Sequence, residues 1–518
     1  MPAWSGAASP SDAPAGGAPR PNVLLVMSDE HGPMFSAPYG HPIVRSPHLS
    51  RLAAGGVTFD AAYCPSPLCV PSRAAFMTGK HLHRVGAYDN GAPFPSDQAT
   101  WAHMLRAAGY EVVLDGKMHF IGPDTLHGFE RQLTRDSSGR IAGSEWLDPF
   151  PRGFRDGATT RRWVEEAGPG KRANLVFDDE VEAAALSFLG QKGAARRTAR
   201  GEGGAGDAGR PWALCVSFLA PHFPLVVPEP YFSLYYPHNV DLPLIPPGHI
   251  EGQHPAHERG RLAYDLYDYT EEQIRRCRAA YYGLVTHLDE RIGRLLDALQ
   301  EGGLREDTVV VYTSDHGEFI GEHGLWWKND FYEHASRVPL LVSWPGRFPA
   351  GTRFEGAVSL LDLTRTLVDL AGAPDPGDLD GDSLLPVLRH GAPWKDEAFC
   401  EYYGHSTNRA QRMLRSGRWK LCYYHREAPE LYDLRADPGE LTDLAGRPEY
   451  RSVQEAMTRR VLGDWDPDAV EAAVRRSHRH RQIIGGSQFR VTSREPGGPP
   501  GGPSGSPSGG GAVSPSGS

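Results

Sequence analysis

Cys69 and Arg73 stand four residues apart in Cys69-Val70-Pro71-Ser72-Arg73, a run that continues through Ala74-Ala75-Phe76-Met77 to Thr78-Gly79-Lys80. The run predicts a helix that begins at this cysteine, because Pro71 suits a first turn, where its missing N–H would go unpaired anyway. The free amides of such a turn attract an anion. A thiol, or an oxygen nucleophile made from it, would sit there against positive partial charge. Other segments carry groups fit for chemistry: Asp29 and Glu30, Lys117 and His119, His222, and Asp315 and His316. Asp29 and Asp315 are hard oxygen ligands suited to Ca²⁺ or Mg²⁺, with His316 as a third donor. Singly, either aspartate serves as well as a cap or turn residue, and a lone histidine as a satisfied structural group. Joined by Lys117, His119, His222 and Lys328, they describe a pocket for a tetrahedral anion, where charge on a transferring group is stabilised.

The segments bearing Asp29, Lys117, His222 and Asp315 each follow an apolar, largely β-branched run. Residues 22–27, 110–114, 212–218 and 308–313 read as buried strands. Helical spacing marks 101–108 and 271–300, the latter through Leu284, Leu288, Ile292, Leu295 and Leu296. This alternation indicates an α/β fold with a large, mostly parallel sheet flanked by helices. Ligands bind beyond the carboxyl ends of strands in such sheets, so four segments converge on one site. Residues 399–403, 419–424 and 430–434 suggest a short antiparallel sheet in a smaller C-terminal α+β subdomain. A helix over 453–476 follows, broken near Pro467. The expected division is a disordered tail over 1–20, a catalytic α/β domain over 21–390, a C-terminal subdomain over 391–493, and a disordered Gly/Pro/Ser tail over 494–518. The Gly/Ala/Arg-rich stretch 191–210 reads as a flexible surface loop.

Composition narrows the class. A chain of 518 residues with 40% hydrophobic content supports a sizeable core, and a net charge of −10 argues against a nucleic-acid surface. The basic clusters at 196–200 and 475–481 are short and read as solvated faces. Six cysteines without disulfide-scaffold or CxxC spacing fit a reducing compartment. Residues 1–20 lack a charged n-region and an apolar h-region, and no run of about 18 apolar residues occurs. The expectation is a soluble cytoplasmic protein without membrane or nucleic-acid partners.

From about residue 21 to 444 the chain resembles the type I sulfatases of the alkaline-phosphatase-like superfamily. The matching pieces stand in family order: 21–29, Ser46-Pro47-His48-Leu49, 69–80, 116–119, His222 and 313–324, then weaker blocks at 361–370 and 430–444. Gly116-Lys117-Met118-His119-Phe120, then Gly122-Pro123-Asp124 and Leu126-His127-Gly128-Phe129, look more like choline sulfatases than arylsulfatases. Trp465-Asp466-Pro467 and the basic helix after it resemble that group too. The resemblance implies that Cys69 is oxidised by a formylglycine-generating enzyme to Cα-formylglycine, whose hydrate attacks sulfur. It implies one divalent cation, Ca²⁺ first and Mg²⁺ or Mn²⁺ as alternatives, held by Asp29, Asp315, His316 and the modified Cys69. Arg73 would hold the hydrate, and Lys117 and Lys328 would bind sulfate oxygens. His222 would protonate the leaving alcohol, alone or with Lys328, and His119 would take the proton whose loss regenerates the aldehyde. His316 stands where many members have Asn, a variant of the choline-sulfatase and phosphonate-hydrolase branches. Glu30 stands where arylsulfatases place a second metal-binding Asp, one methylene shorter.

For the organic half of the substrate, a quaternary ammonium such as choline needs aromatic faces and a nearby carboxylate. Trp326 and Trp327 beside Lys328 would supply faces, and Asp89-Asn90 matches the family's pocket segment. The match to choline sulfatases fades after Gln482, where a Gly/Pro/Ser tail replaces their long C-terminal segment. Three functions follow: hydrolysis of a small sulfate monoester, hydrolysis of a phosphonate or phosphodiester on the same fold, or non-catalytic binding by a protein of sulfatase ancestry. A homo-oligomer is compatible with each.

Overall fold

Leucine- and valine-rich strands with no polar alternation need apolar cover on both faces. The computed structural model, which describes residues 20–136, 157–201, 210–407 and 409–492, provides it. Of the expected tails over 1–20 and 494–518, residue 20 is described and residues 1–19 and 494–518 lie outside the described residues. Strands β1 (Asn22–Asp29), β2 (Val57–Tyr63), β3 (Glu111–Gly116), β4 (Arg131–Gln132), β5 (Trp212–Pro221), β6 (Thr308–Ser314), β7 (Arg337–Val338), β8 (Leu340–Ser343) and β9 (Thr352–Ser359) form one sheet. Its order is β9-β2-β8-β6-β1-β5-β3-β4, with β7 paired to β2. The run β6-β1-β5-β3-β4 is wholly parallel, and β8 lies antiparallel to both β6 and β2. The sheet is therefore mostly parallel, as expected.

Alternate residues of the central strands feed two cores. On one face Leu24, Val26, Leu214, Val216, Val310 and Tyr312 meet helices α1 (Pro47–Ala54), α4 (Ala173–Gly201) and α5 (Glu271–Glu301). On the other, Val23, Leu25, Met27, Val309 and Val311 meet α2 (Cys69–Thr78), α3 (Trp101–Ala107) and α6 (Leu360–Ala371). Thr270 and Gln273 form a capping box at the start of α5, which fixes the long amphipathic helix against the sheet.

A second sheet, β10 (Glu397–Tyr402), β11 (Gln411–Ser416), β12 (Trp419–Tyr424) and β13 (Glu430–Asp433), is antiparallel in that order. Helices α7 (Arg451–Leu462) and α8 (Pro467–Thr492) pack on it through Met457, Val461, Val470 and Val474, with Trp465 joining from the segment between them. Strand β11 escapes the sequence reading because Gln, Arg, Arg and Ser alternate poorly with its apolar residues. Arg412 is nonetheless fully buried, paired to Glu401 and Asp464 with its guanidinium 4.1 Å from the Phe399 ring centroid.

The expected loop over 191–210 is corrected: α4 continues through it to Gly201, and residues 202–209 are outside the described set. Its Gln, Lys, Ala and Arg content favours helix despite two glycines. Lys192 pairs with Glu111, and Arg196 lies 2.5 Å from Asp307, so the helix is tied back to the sheet. Among the described residues no helix is long and apolar enough to cross a membrane. All six cysteines are free and buried.

Candidate functional site

Helix α2 starts at Cys69 and is buried along its whole length. Leu68 holds the cap position and has no side chain to offer the free amides. Asn90 supplies the missing acceptor from outside the helix, its Oδ1 taking the Val70 N–H at 3.0 Å. Ser72 Oγ donates to the Asp315 carbonyl at 2.6 Å and so pins the first turn to the end of β6. Cys69 Sγ then lies 3.2 Å from His316 Nε2 and 3.7 Å from Asp29 Oδ1.

Asp29, Cys69, Asp315 and His316 each turn one donor atom into a shared space, all within 4.8 Å of one another and all buried. Arg73 organises the two carboxylates. Its Nε donates to Asp315 Oδ2 at 2.7 Å and its Nη2 to Asp29 Oδ2 at 3.1 Å. The Oδ1 atoms are left facing the sulfur and imidazole. His316 Nδ1 donates to the Gly317 carbonyl at 3.0 Å, which leaves Nε2 a lone pair. Two carboxylate oxygens, an imidazole nitrogen and the residue-69 side chain form a mixed donor set that fits a divalent cation. Burial alone would raise the Asp29 carboxyl, yet Lys117, His222 and Arg73 hold it well below the usual carboxylate range. Burial and Asp29 push the Cys69 thiol up to about 12, so the encoded sulfur keeps its proton at neutral pH and is a poor nucleophile.

The remaining predicted residues surround this space. Lys117, 3% exposed at the end of β3, pairs with Asp29 Oδ2. A side chain at Gly116 would place its Cβ 2.2 Å from the Ser217 carbonyl, so only glycine lets β3 approach β5 there. His222 Nδ1 donates to the Phe223 carbonyl at 2.6 Å, and its Nε2 accepts from Lys328 Nζ at 2.9 Å. Burial and the Lys328 charge keep His222 well below its ordinary pKa. Burial works against the Lys328 charge, but Cys69, Glu30 and Asp29 outweigh it and hold Lys328 above the lysine range. Lys328 Nζ also lies 3.0 Å from Glu30 Oε1. Asp29, Glu30 and His222 make a second donor group, and Lys328 Nζ sits against both Glu30 and His222, which are themselves 3.3 Å apart. Glu30 thus serves Lys328. His119 is drawn in by its backbone N–H, which donates to Asp136 at 2.6 Å, and burial with Lys117 lowers its pKa to about 3.

The expected substrate contacts are placed differently from one another. Asn90 caps α2 beside Cys69. Asp89 has Arg481 across both its oxygens, at 2.8 and 2.5 Å. Trp327 is 2% exposed and packs on Phe223 with centroids 4.5 Å apart, so its face is already covered. Glu30, His119, Trp327 and Asn329 hold left-handed backbone at φ 69, 56, 67 and 79, a clustering of strained non-glycine residues at the site. The sequence reading missed Ser217, which accepts from Arg73 at 2.9 Å, and Glu318, whose Oε1 takes the Trp327 N–H at 2.7 Å. Glu318 lies only three residues beyond Asp315 in a quoted block, and its burial was the absent clue. Asp136 carried no sequence signal; Arg481, read as part of a solvated basic face over 475–481, is corrected, since it is 6% exposed and paired with Asp89.

The loop bearing Lys328 is tied down by a buried cation. His257 lies 2.5 Å from Asp330 and 3.0 Å from Glu430. Burial opposes its charge, but the two carboxylates raise its pKa to about 10. The folded value exceeds the unfolded one of about 6.5, so its stabilisation is complete below about pH 6.5 and is lost as pH rises through about 10. Thermal unfolding of H257Q should lose that decline between about pH 7 and 10; parallel wild-type and variant curves would contradict it.

Similarity to known proteins agrees with this geometry. The profile described as Sulfatase matches residues 21–373, and that of N-sulphoglucosamine sulphohydrolase, C-terminal, matches 321–464. A choline-sulfatase of Rhizobium meliloti (strain 1021) is 36% identical over 483 residues, covering 90% of this chain and 91% of the relative. An N-acetylglucosamine-6-O-sulfatase of Bacteroides thetaiotaomicron is 27% identical over 88% of this chain and 89% of its own. A structure solved in complex with its substrate D-glucosamine-2-N,6-O-disulfate has a TM-score of 0.69 at 26% identity, covering 87% of this chain and 99% of that one. The phosphonate monoester hydrolase of Silicibacter pomeroyi has a TM-score of 0.67 at 25% identity, covering 85% and 94%.

Proposed function

The chain belongs to the sulfatase family and is a sulfuric ester hydrolase, and from that premise we propose that it cleaves the sulfate monoester of a small alcohol, choline sulfate first, with Cys69 converted to Cα-formylglycine. The observation that carries this reading is the seat of Cys69 Sγ, 3.2 Å from His316 and 3.7 Å from Asp29. A divalent cation, calcium first, held by Asp29, Asp315, His316 and the residue-69 side chain supplies Lewis-acid polarisation, and the formylglycine hydrate supplies the attacking hydroxyl.

The chain's own residues do the rest. Arg73 keeps both carboxylates oriented and adds positive charge beside the nucleophile. Lys117 and Lys328 approach from either side and neutralise the sulfate oxygens as charge develops. Neutral His222 leaves the labile proton on Lys328, so Lys328 delivers it to the departing alcohol oxygen and His222 steadies the ammonium. Neutral His119 has a lone pair for the proton whose loss releases sulfate. Six free cysteines support a cytoplasmic location, and maturation requires a formylglycine-generating enzyme as partner. The similarity to a choline-sulfatase supports the choline ester as first substrate.

Steady-state rates on choline sulfate, an alkyl sulfate, 4-nitrophenyl sulfate, a phosphate monoester, a phosphodiester and a phosphonate test the reading. Sulfate esters should lead, and a phosphonate or phosphodiester in first place would replace it. K328M should lower both turnovers through the charge lost beside the sulfate oxygens, and alkyl sulfate turnover by about 10²–10⁴-fold more, because nitrophenolate departs without a proton. Equal losses would remove Lys328 from that role.

A further inference from the structure

The far end of the chain reaches the nucleophile through three side chains. Arg481 projects from α8, is 6% exposed, and holds Asp89 Oδ1 at 2.8 Å and Oδ2 at 2.5 Å. Asp89, 1% exposed, also takes the Gly91 N–H on Oδ1 at 2.8 Å, which closes a turn around Asn90. Asn90 Oδ1 in turn takes the Val70 N–H at 3.0 Å, next to Cys69. A bidentate guanidinium–carboxylate pair fixes direction as well as distance, and burial shields it from water and salt. The helix bearing Cys69 has no cap of its own at Leu68. Its first turn therefore depends on a borrowed one.

We propose that Arg481 is a positioning residue for the sulfatase reaction: it locks Asp89, so that Asn90 caps α2 and holds residue 69 against the cation-binding carboxylates. This rests on the proposed role of residue 69, and it makes α8 part of the active site rather than an appended helix. Nucleophile placement governs the chemical step more than substrate capture, and a displacement of about 1 Å costs roughly 10²-fold. The guanidinium does not touch the reacting atoms, so the effect runs through Asp89 and Asn90 alone.

The test compares R481A, D89N, the double variant and R479A, since Arg479 is exposed on the same helix. Both single variants should lower kcat by about 10–100-fold with KM within about threefold, and the double variant should be no slower than either single one. R479A should match wild type. Hydrogen exchange gives a readout independent of turnover: amides of residues 69–75 should exchange faster in R481A while those of β1 and β6 do not. Unchanged exchange at 69–75, additive losses, or a KM effect alone would overturn the proposal. Absence of wild-type turnover on sulfate esters with the exchange change present would instead overturn the functional reading and leave the clamp intact.

Discussion

Cys69→Ala abolishes sulfate-ester hydrolysis, with turnover falling by at least about 10⁴-fold, while the protein still folds. The side chain is 1% exposed and contributes one small buried group, so its loss leaves the sheet and α2 in place. What disappears is the only candidate nucleophile among the four donors, since Asp29 and Asp315 are fastened by Arg73 and His316 donates to Gly317. Mass spectrometry of the peptide spanning residue 69 in active protein should show a loss of about 18 Da relative to the thiol form. Retained activity in C69A, or active protein carrying only the thiol, defeats the mechanism.

Arg73→Met has the second large effect, and it strikes stability as well as rate. The guanidinium bridges Asp29 and Asp315 with both partners fully buried. Removing it leaves Asp315 without its ion pair and Asp29 with Lys117 as its remaining lysine or arginine partner, a loss of about 3–5 kcal/mol. Turnover should fall by about 10²–10³-fold with the lost positive charge. A divalent ion then becomes the main counter-charge, so added Ca²⁺ should raise the variant's Tm more than the wild type's. An equal calcium increment in both proteins would show that the ion binds elsewhere.

The parallel sheet was legible because strands such as Thr308–Ser314 are continuous apolar runs, and each is followed at once by polar groups. Chain topology then brings Asp29, Lys117, His222 and Asp315 to one edge, as the strand ends require. Spacing could not reveal which atoms meet. That Lys328 pairs with Glu30 and His222, or that Asp89 is spent on Arg481, depends on loops with no periodicity. The helix over 191–201 was hidden by its glycines, and β11 by its arginines, because both draw on partners distant in sequence. Trp327 looked like a free aromatic face only while its packing on Phe223 was unseen.

The depth at which residue 69 lies sets a timetable for making the enzyme. A maturation enzyme must grasp the peptide around its target, yet here that peptide is interior to the finished molecule. On the proposed mechanism, oxidation of Cys69 would therefore have to act on the nascent chain, ahead of collapse. On the same reading, purified thiol-form protein would stay inert when mixed with that enzyme, and the yield of active material would be decided in the producing cell.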